Sequence, residues 1–119
     1  MQSRGTAEET IVDLFADDAV YIEPFSKGTV SGETTTHSGK AAIHDFFRGS
    51  WHARPPDMRL TLDTISIDGS FVRADWTCSA DVFGSPMRGF DRYLIRDGRI
   101  ARLETTVTQP PSTITFGAT

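Results

Sequence analysis

Apolar residues recur at helical spacing in the first part of this chain and at every second position in the rest. In "TAEETIVDLFADDA", Ile11, Leu14 and Phe15 share a helical face, Thr6 can cap it, and Glu8 and Glu9 suit its first turn, so the spacing predicts a short helix. "AVYIEPF" alternates, with Ala19, Tyr21 and Glu23 on one side and Val20 and Ile22 on the other. Pro24 lacks an amide donor, so this strand should stop, bulge or lie at an edge there. "SKGTVSGETTTHSG" reads as a long loop and a candidate lid. A second helix follows in "SGKAAIHDFFRGSW", starting near Ser38 or Lys40, striped by Ala42, Ile43, Phe46 and Phe47, and ended by Gly49.

After "ARPPD" the period shortens to two. "RLTLDTISID", "FVRADWTCSADVF", "MRGFDRYLIR" and "RIARLETTV" read as strands, with turns at Asp68-Gly69 and Asp97-Gly98. The tail 108–119 has a possible short strand in "TITF". Sequential hairpins after two helices predict an α+β fold, an antiparallel sheet with helices on one face and a pocket between the layers. In the long strand, Val72, Ala74, Trp76, Cys78, Ala80 and Val82 form an apolar row that should face the core. Phe71, Arg73, Asp75, Thr77, Ser79, Asp81 and Phe83 should face water or a partner subunit.

The 119 residues predict a single domain, with a core over about 6–107. A net charge of −4, with arginines scattered among acids, argues against a nucleic-acid surface. Cys78 is the only cysteine, which removes any intrachain disulfide. The N-terminal residues lack an apolar signal core and no run is long enough to span a bilayer, so the expected location is the cytoplasm, with no membrane partner.

Four acids carry the candidate chemistry. Asp17 and Asp18 fall at a predicted helix-to-strand corner, where Asp bonds turn amides, and read as structural. Glu23 shares a face with Tyr21; it is either an edge carboxylate or one aimed into a pocket. Asp91 shares a face with Tyr93 and Ile95. It is either exposed and paired with Arg88 or Arg92, or buried with a raised pKa. His37, His44 and His52 lack metal-ligand spacing, and Cys78 lies in an apolar row without a basic partner. Neither a nucleophile elbow nor a phosphate-binding glycine loop is present in the sequence.

"DLFADDAVYIEPF", "SGKAAIHDFF" and "GFDRYLIRDGRIARLE" resemble the nuclear-transport-factor-2-like superfamily, in its ketosteroid isomerase and polyketide cyclase (SnoaL-like) branch, from about Ile11 to Val107. The resemblance implies a cone-shaped, strongly curved antiparallel sheet wrapped around helices, a pocket at its open end, and homodimers paired through the sheet. It also implies cofactor-free acid/base chemistry, without a metal, on a small apolar or polycyclic ligand. Glu23 takes the place of the general base before the strand proline, and Asp91 that of the protonated acid that donates to an oxyanion, a pattern known from such isomerases. Tyr21, Phe47, Trp51, Trp76, Tyr93 and Leu103 are the expected pocket residues.

The likeness begins at the short helix, so the long helix that opens family members, with its tyrosine donor, is expected to be missing. Cover would come from "STITF" or a neighbouring subunit. A rival resemblance is to limonene-epoxide hydrolases, with Arg73 and Asp75 in "VRAD", Tyr21 and Glu23 in "VYIE", and the second acid's place near Thr105, beside Glu104. It needs Arg73 and Asp75 to point inward, which would turn the Trp76 row outward. A third possibility is a non-catalytic binding or dimerisation module, because the fold does not fix function.

Overall fold

The computed structural model describes residues 12–26 and 33–113. The strands are β1 (Phe15–Glu23), β2 (Thr35–Ser38), β3 (Arg59–Asp68), β4 (Phe71–Ser79), β5 (Met87–Arg96) and β6 (Arg99–Gln109). One α-helix, α1 (Lys40–Ala53), lies between β2 and β3, and a 3-10 turn covers Asp81–Phe83. The strands form a six-stranded sheet in the order β2-β1-β6-β5-β4-β3, curved and unclosed. The α+β expectation therefore holds. The sheet is mixed, however: β1 runs parallel to β6, and the other neighbours are antiparallel.

The turns follow the sequence. Asp97 and Gly98 both adopt positive φ, as a two-residue hairpin between β5 and β6 needs. A bulge in β3 between Leu62 and Thr64 sets the parity of that strand. It keeps Leu60, Leu62, Ile65 and Ile67 on one face, opposite Cys78, Trp76, Ala74 and Val72. The apolar row of β4 thus faces the concave side, where α1 packs over β1 and β2. Phe15, Ala19, Tyr21, Ile43 and Leu103 form one core cluster beneath α1, and Trp76, Cys78, Phe83 and Met87 form a second. The inner face of β3 stays open, with Leu60, Leu62, Ile65 and Ile67 exposed.

Five sequence expectations need correction. Phe15 does not belong to the first helix but opens β1, and a register shift separates Phe15 from Val20. This irregularity breaks the alternation, burying Phe15, Ala16 and Ala19 and exposing Asp17 and Asp18, a pattern that imitates a helix face. The rest of that predicted helix before Val12 lies outside the described residues. Asp17 and Asp18 are exposed on the bulge rather than at a helix corner. Asp18 accepts from Arg96 at 2.5 Å, and that guanidinium holds its carboxyl below the usual range.

Gly49 does not end α1, because a solvent-facing glycine costs a helix only about 1 kcal/mol. The stop comes at Arg54, extended before Pro55 as residues preceding proline are. The predicted lid contains β2, while residues 27–32 lie outside the described part, as does the "TITF" strand from residue 114 onward. β4 ends at Ser79, and the 3-10 turn leaves Val82 exposed and sends Phe83 into the core instead. Among the described residues, no helix is long and apolar enough to cross a membrane.

Candidate active site

Tyr21 and Glu23 point from β1 into the concave face, as the alternation requires, and both are buried. Glu23 has no exposed surface at all. Its Oε1 accepts from the backbone N–H groups of Phe25 at 2.5 Å and Ser26 at 2.9 Å. Pro24 bends the chain so that these two amides turn back onto the carboxyl group. Oε2 accepts from the Ser26 hydroxyl and lies 2.7 Å from His37 Nε2. His37 reaches Glu23 because β2 pairs with β1 and sets His37 opposite Tyr21. The His37 ring packs against Phe46 at 4.8 Å between centroids and is partly exposed.

Asp91 projects from β5 between strands β4 and β6, opposite Ala74 and Thr105. Its Oδ1 accepts from Thr105 Oγ1 at 2.7 Å and from Trp76 Nε1 at 3.2 Å. Its Oδ2 accepts from the Tyr93 hydroxyl at 3.3 Å. Thr105 spends its proton on Asp91, so Tyr21, 3.2 Å from Thr105 Oγ1, donates to that oxygen. Burial pushes the Asp91 carboxyl above its ordinary range, against the lowering effect of these three donors. Tyr21 and Tyr93 both ionise above the usual tyrosine range, chiefly because burial disfavours the phenolate; the Asp91 charge adds to it for both and Glu23 for Tyr21.

Tyr21 therefore lies between the two acids. Its hydroxyl reaches Asp91 through Thr105, while its ring stacks beside His37, the partner of Glu23.

Trp76 reaches Asp91 because its indole lies against Gly89. A Cβ on Gly89 would stand 2.7 Å from Trp76 Cζ2 and 2.2 Å from the Thr106 carbonyl oxygen. Gly89→Ala is expected to destabilise the protein by about 1–3 kcal/mol and to break the Trp76 bond to Asp91. Chemical denaturation and near-ultraviolet circular dichroism check this, and an unchanged indole signal at full stability would contradict it.

The concave face also carries a shallow, open cleft of about 310 Å³ lined by Leu62, Ile65, Val72, Ala74, Tyr93, Ile95 and Ile100, with Leu62 and Ile65 half-exposed. Tyr93 alone among these carries a polar side-chain atom, and that hydroxyl is bonded to Asp91. Of the other expected pocket residues, Phe47 stacks on Tyr21 at 5.2 Å and Leu103 is buried in the same core. Trp51 stands apart at the exposed end of α1, under the Arg54 guanidinium at 3.7 Å.

Arg73 and Asp75 do not point inward. They lie on the convex face, bonded to each other at 2.9 Å, with Arg73 over Phe90 and Asp75 accepting from Thr64. The inward epoxide-hydrolase register is corrected on that ground: Val72, Ala74, Trp76 and Cys78 compete with two charges for the inner face of β4, and the apolar row takes it.

His37 is the site residue that sequence reasoning missed. Its strand hides in a Gly/Ser/Thr-rich run, and the usable signal was "TTHS" itself, two threonines before a histidine.

A family model described as a SnoaL-like domain matches residues 3–103. Among solved structures, a protein named as a polyketide cyclase from Sinorhizobium meliloti is similar at 26% identity and a TM-score of 0.66, over 84% of this chain and 82% of that one. One named as a ketosteroid isomerase from Kribbella flavida is similar at 20% identity and a TM-score of 0.65, over 87% of this chain and 67% of that one. A protein of unknown function from Burkholderia pseudomallei gives a TM-score of 0.68 at 17% identity, over 84% of this chain and 77% of that one. The last two likenesses establish the fold alone. No curated protein matches the chain.

Proposed function

The chain belongs to the SnoaL-like domain family, and on that premise we propose that it is a small-molecule enzyme that moves a proton next to a carbonyl group, in an isomerisation or cyclisation of an apolar cyclic substrate. The observation that carries this reading is Asp91, a largely buried carboxyl group tied to Trp76, Thr105 and Tyr93 and joined through Tyr93 to an apolar cleft. Such chemistry needs a proton acceptor near carbon and a donor near oxygen, in a place poor in water. Asp91 and its hydrogen-bonded neighbours form the donating half. Glu23, with His37 bonded to it, forms the accepting half. The likeness to the Sinorhizobium protein named as a polyketide cyclase supports the substrate class.

The test is deuterium uptake from heavy water into the carbon beside the carbonyl, followed by mass spectrometry over a panel of polyketide-like and steroid-like ketones. Uptake above the rate without protein is expected for at least one of them. A panel without uptake would favour the second reading, a ligand-binding module that performs no turnover. One observation favours that alternative: both Glu23 oxygens are already engaged, and the side chain has no exposed surface.

A further inference from the structure

Glu23 is poorly placed to take a proton from a ligand itself. Its carboxyl group has no exposed surface, and each of its oxygens already has two partners. Two backbone amides and a hydroxyl converge on it, which is the surrounding of a carboxylate rather than of an acid that must itself donate. The fourth bond, 2.7 Å to His37 Nε2, therefore takes its proton from the imidazole. His37 is thus held with hydrogen on Nε2, and in the neutral ring the lone pair stands on Nδ1.

The fold fixes that lone pair in place. Antiparallel pairing of β2 with β1 sets His37 opposite Tyr21. Between centroids, the ring lies 4.8 Å from Phe46 and 6.1 Å from Tyr21, on which it stacks. Rotating the imidazole would break the Glu23 bond and disturb both aromatic contacts. Among the described residues, Nδ1 has no hydrogen-bond partner. The His37 side chain is 19% exposed, whereas that of Glu23 is 0%, so a ligand can reach the histidine but not the acid behind it.

We propose that His37 Nδ1, and not Glu23, is the proton acceptor that this site offers a ligand, with Glu23 as the positioning residue that sets the tautomer. The group it meets is an acidic C–H or O–H. In the proton transfer, that bond breaks and an Nδ1–H bond forms, while the electron pair stays on the ligand as an enolate or oxyanion. The imidazole becomes a cation, and the Glu23 carboxylate stabilises its charge across the existing bond. This deepens the proposed function and rests on it for the reaction, but not for the tautomer. It departs from the family resemblance, in which the acid before the strand proline is itself the base.

The experiment is a long-range nitrogen–proton correlation spectrum of the isotope-labelled full chain at about pH 8.5, well above the ordinary imidazole value. His37→Ala identifies the His37 signals among the three histidines. Nε2 should appear protonated and Nδ1 as a bare, pyridine-type nitrogen. Glu23→Gln should reverse this. The glutamine oxygen is held by the Phe25 and Ser26 amides, so its amide nitrogen faces Nε2, donates to it and moves the ring proton to Nδ1. For any ketone that takes up deuterium, Glu23→Gln and His37→Ala should each slow uptake by roughly 10²–10⁴-fold. A wild-type ring with hydrogen on Nδ1, a tautomer unmoved by Glu23→Gln, or uptake that survives His37→Ala would each overturn the assignment. The wild-type spectrum decides the tautomer even where a variant fails to fold. If the tautomer reverses while no ketone takes up deuterium, the acceptor stands and the proposal of turnover falls.

Discussion

Glu23→Ala is expected to lower the stability of this protein by roughly 3–5 kcal/mol, the scale for breaking a buried polar network. The alanine removes the carboxylate that accepts from the Phe25 amide and from the Ser26 amide and hydroxyl, and that lies against His37 Nε2. A donor that loses its acceptor away from water costs about 1–3 kcal/mol, more than the net gain of the bond it once made, and less where water reaches it, as at the exposed Ser26. A cavity adds to the loss, because Glu23 is among the largest side chains with no exposed surface. Glu23→Gln separates the two contributions. It keeps the volume, so the shortfall that remains reports the donors that the amide nitrogen cannot accept from. Urea titration of both variants measures this. A loss below about 1 kcal/mol for Glu23→Ala would mean that Glu23 does not organise the bend after β1, and the accepting half of the site would lose its frame.

The later strands were legible because alternation and turn chemistry agreed there. Asp68-Gly69 and Asp97-Gly98 stand where the chain reverses, and the row from Val72 to Cys78 faces inward as its apolar character demands. The early part was misread for a definite reason. A bulge between Phe15 and Val20 gives a strand the spacing of a helix, and no local preference at Asp17 or Asp18 reveals it. The parallel pairing of β1 with β6 was equally hidden, since turn signals report only neighbours in sequence. Gly49 reads as a stop because a helical glycine and a terminal glycine look alike in sequence, and the prolines beyond Arg54 carry the real signal.

The site shows the same division. Asp91 and Tyr93 could be placed on one face from the alternation alone, and the structure bonds them directly. Whether that face was wet or dry could not be read from β5, whose two sides are both mixed; it is settled by Trp76 and Thr105 on neighbouring strands. His37 escaped because its importance lies in what β2 pairs with, a long-range fact absent from four residues of polar sequence. Trp51 illustrates the reverse error. The resemblance makes this aromatic residue a pocket wall, whereas it sits at the far end of α1 with Arg54 over its ring.

Asp91→Asn should move activity and stability in opposite directions. Turnover of any ketone that takes up deuterium is expected to fall by roughly 10²–10⁴-fold, the usual weight of a positioned acid. Stability at neutral pH should rise, on the order of 1 kcal/mol, as it does when a strained site is relieved of its functional charge. The asparagine reproduces the protonated acid: its oxygen can accept from Thr105 and Trp76, and its amide can donate to Tyr93. The sign follows from linkage. Burial holds the Asp91 carboxyl above its ordinary value of 3.8, so the folded protein keeps this proton more tightly than the unfolded chain. The resulting stabilisation is complete below the unfolded value and is lost as pH rises through the folded one. Asparagine has no proton to lose, so the variant's advantage should be absent in acid and appear across that same interval. Denaturation curves taken along a pH series test it, with Asp75→Asn on the convex face as the control. Arg73 and Thr64 hold the Asp75 carboxyl below its ordinary range, so that control should lose stability toward neutral pH instead. If Asp91→Asn is less stable than the wild type at neutral pH and equally stable in acid, Asp91 is held as a stabilised charge, and a donor to a substrate oxygen cannot be built on it.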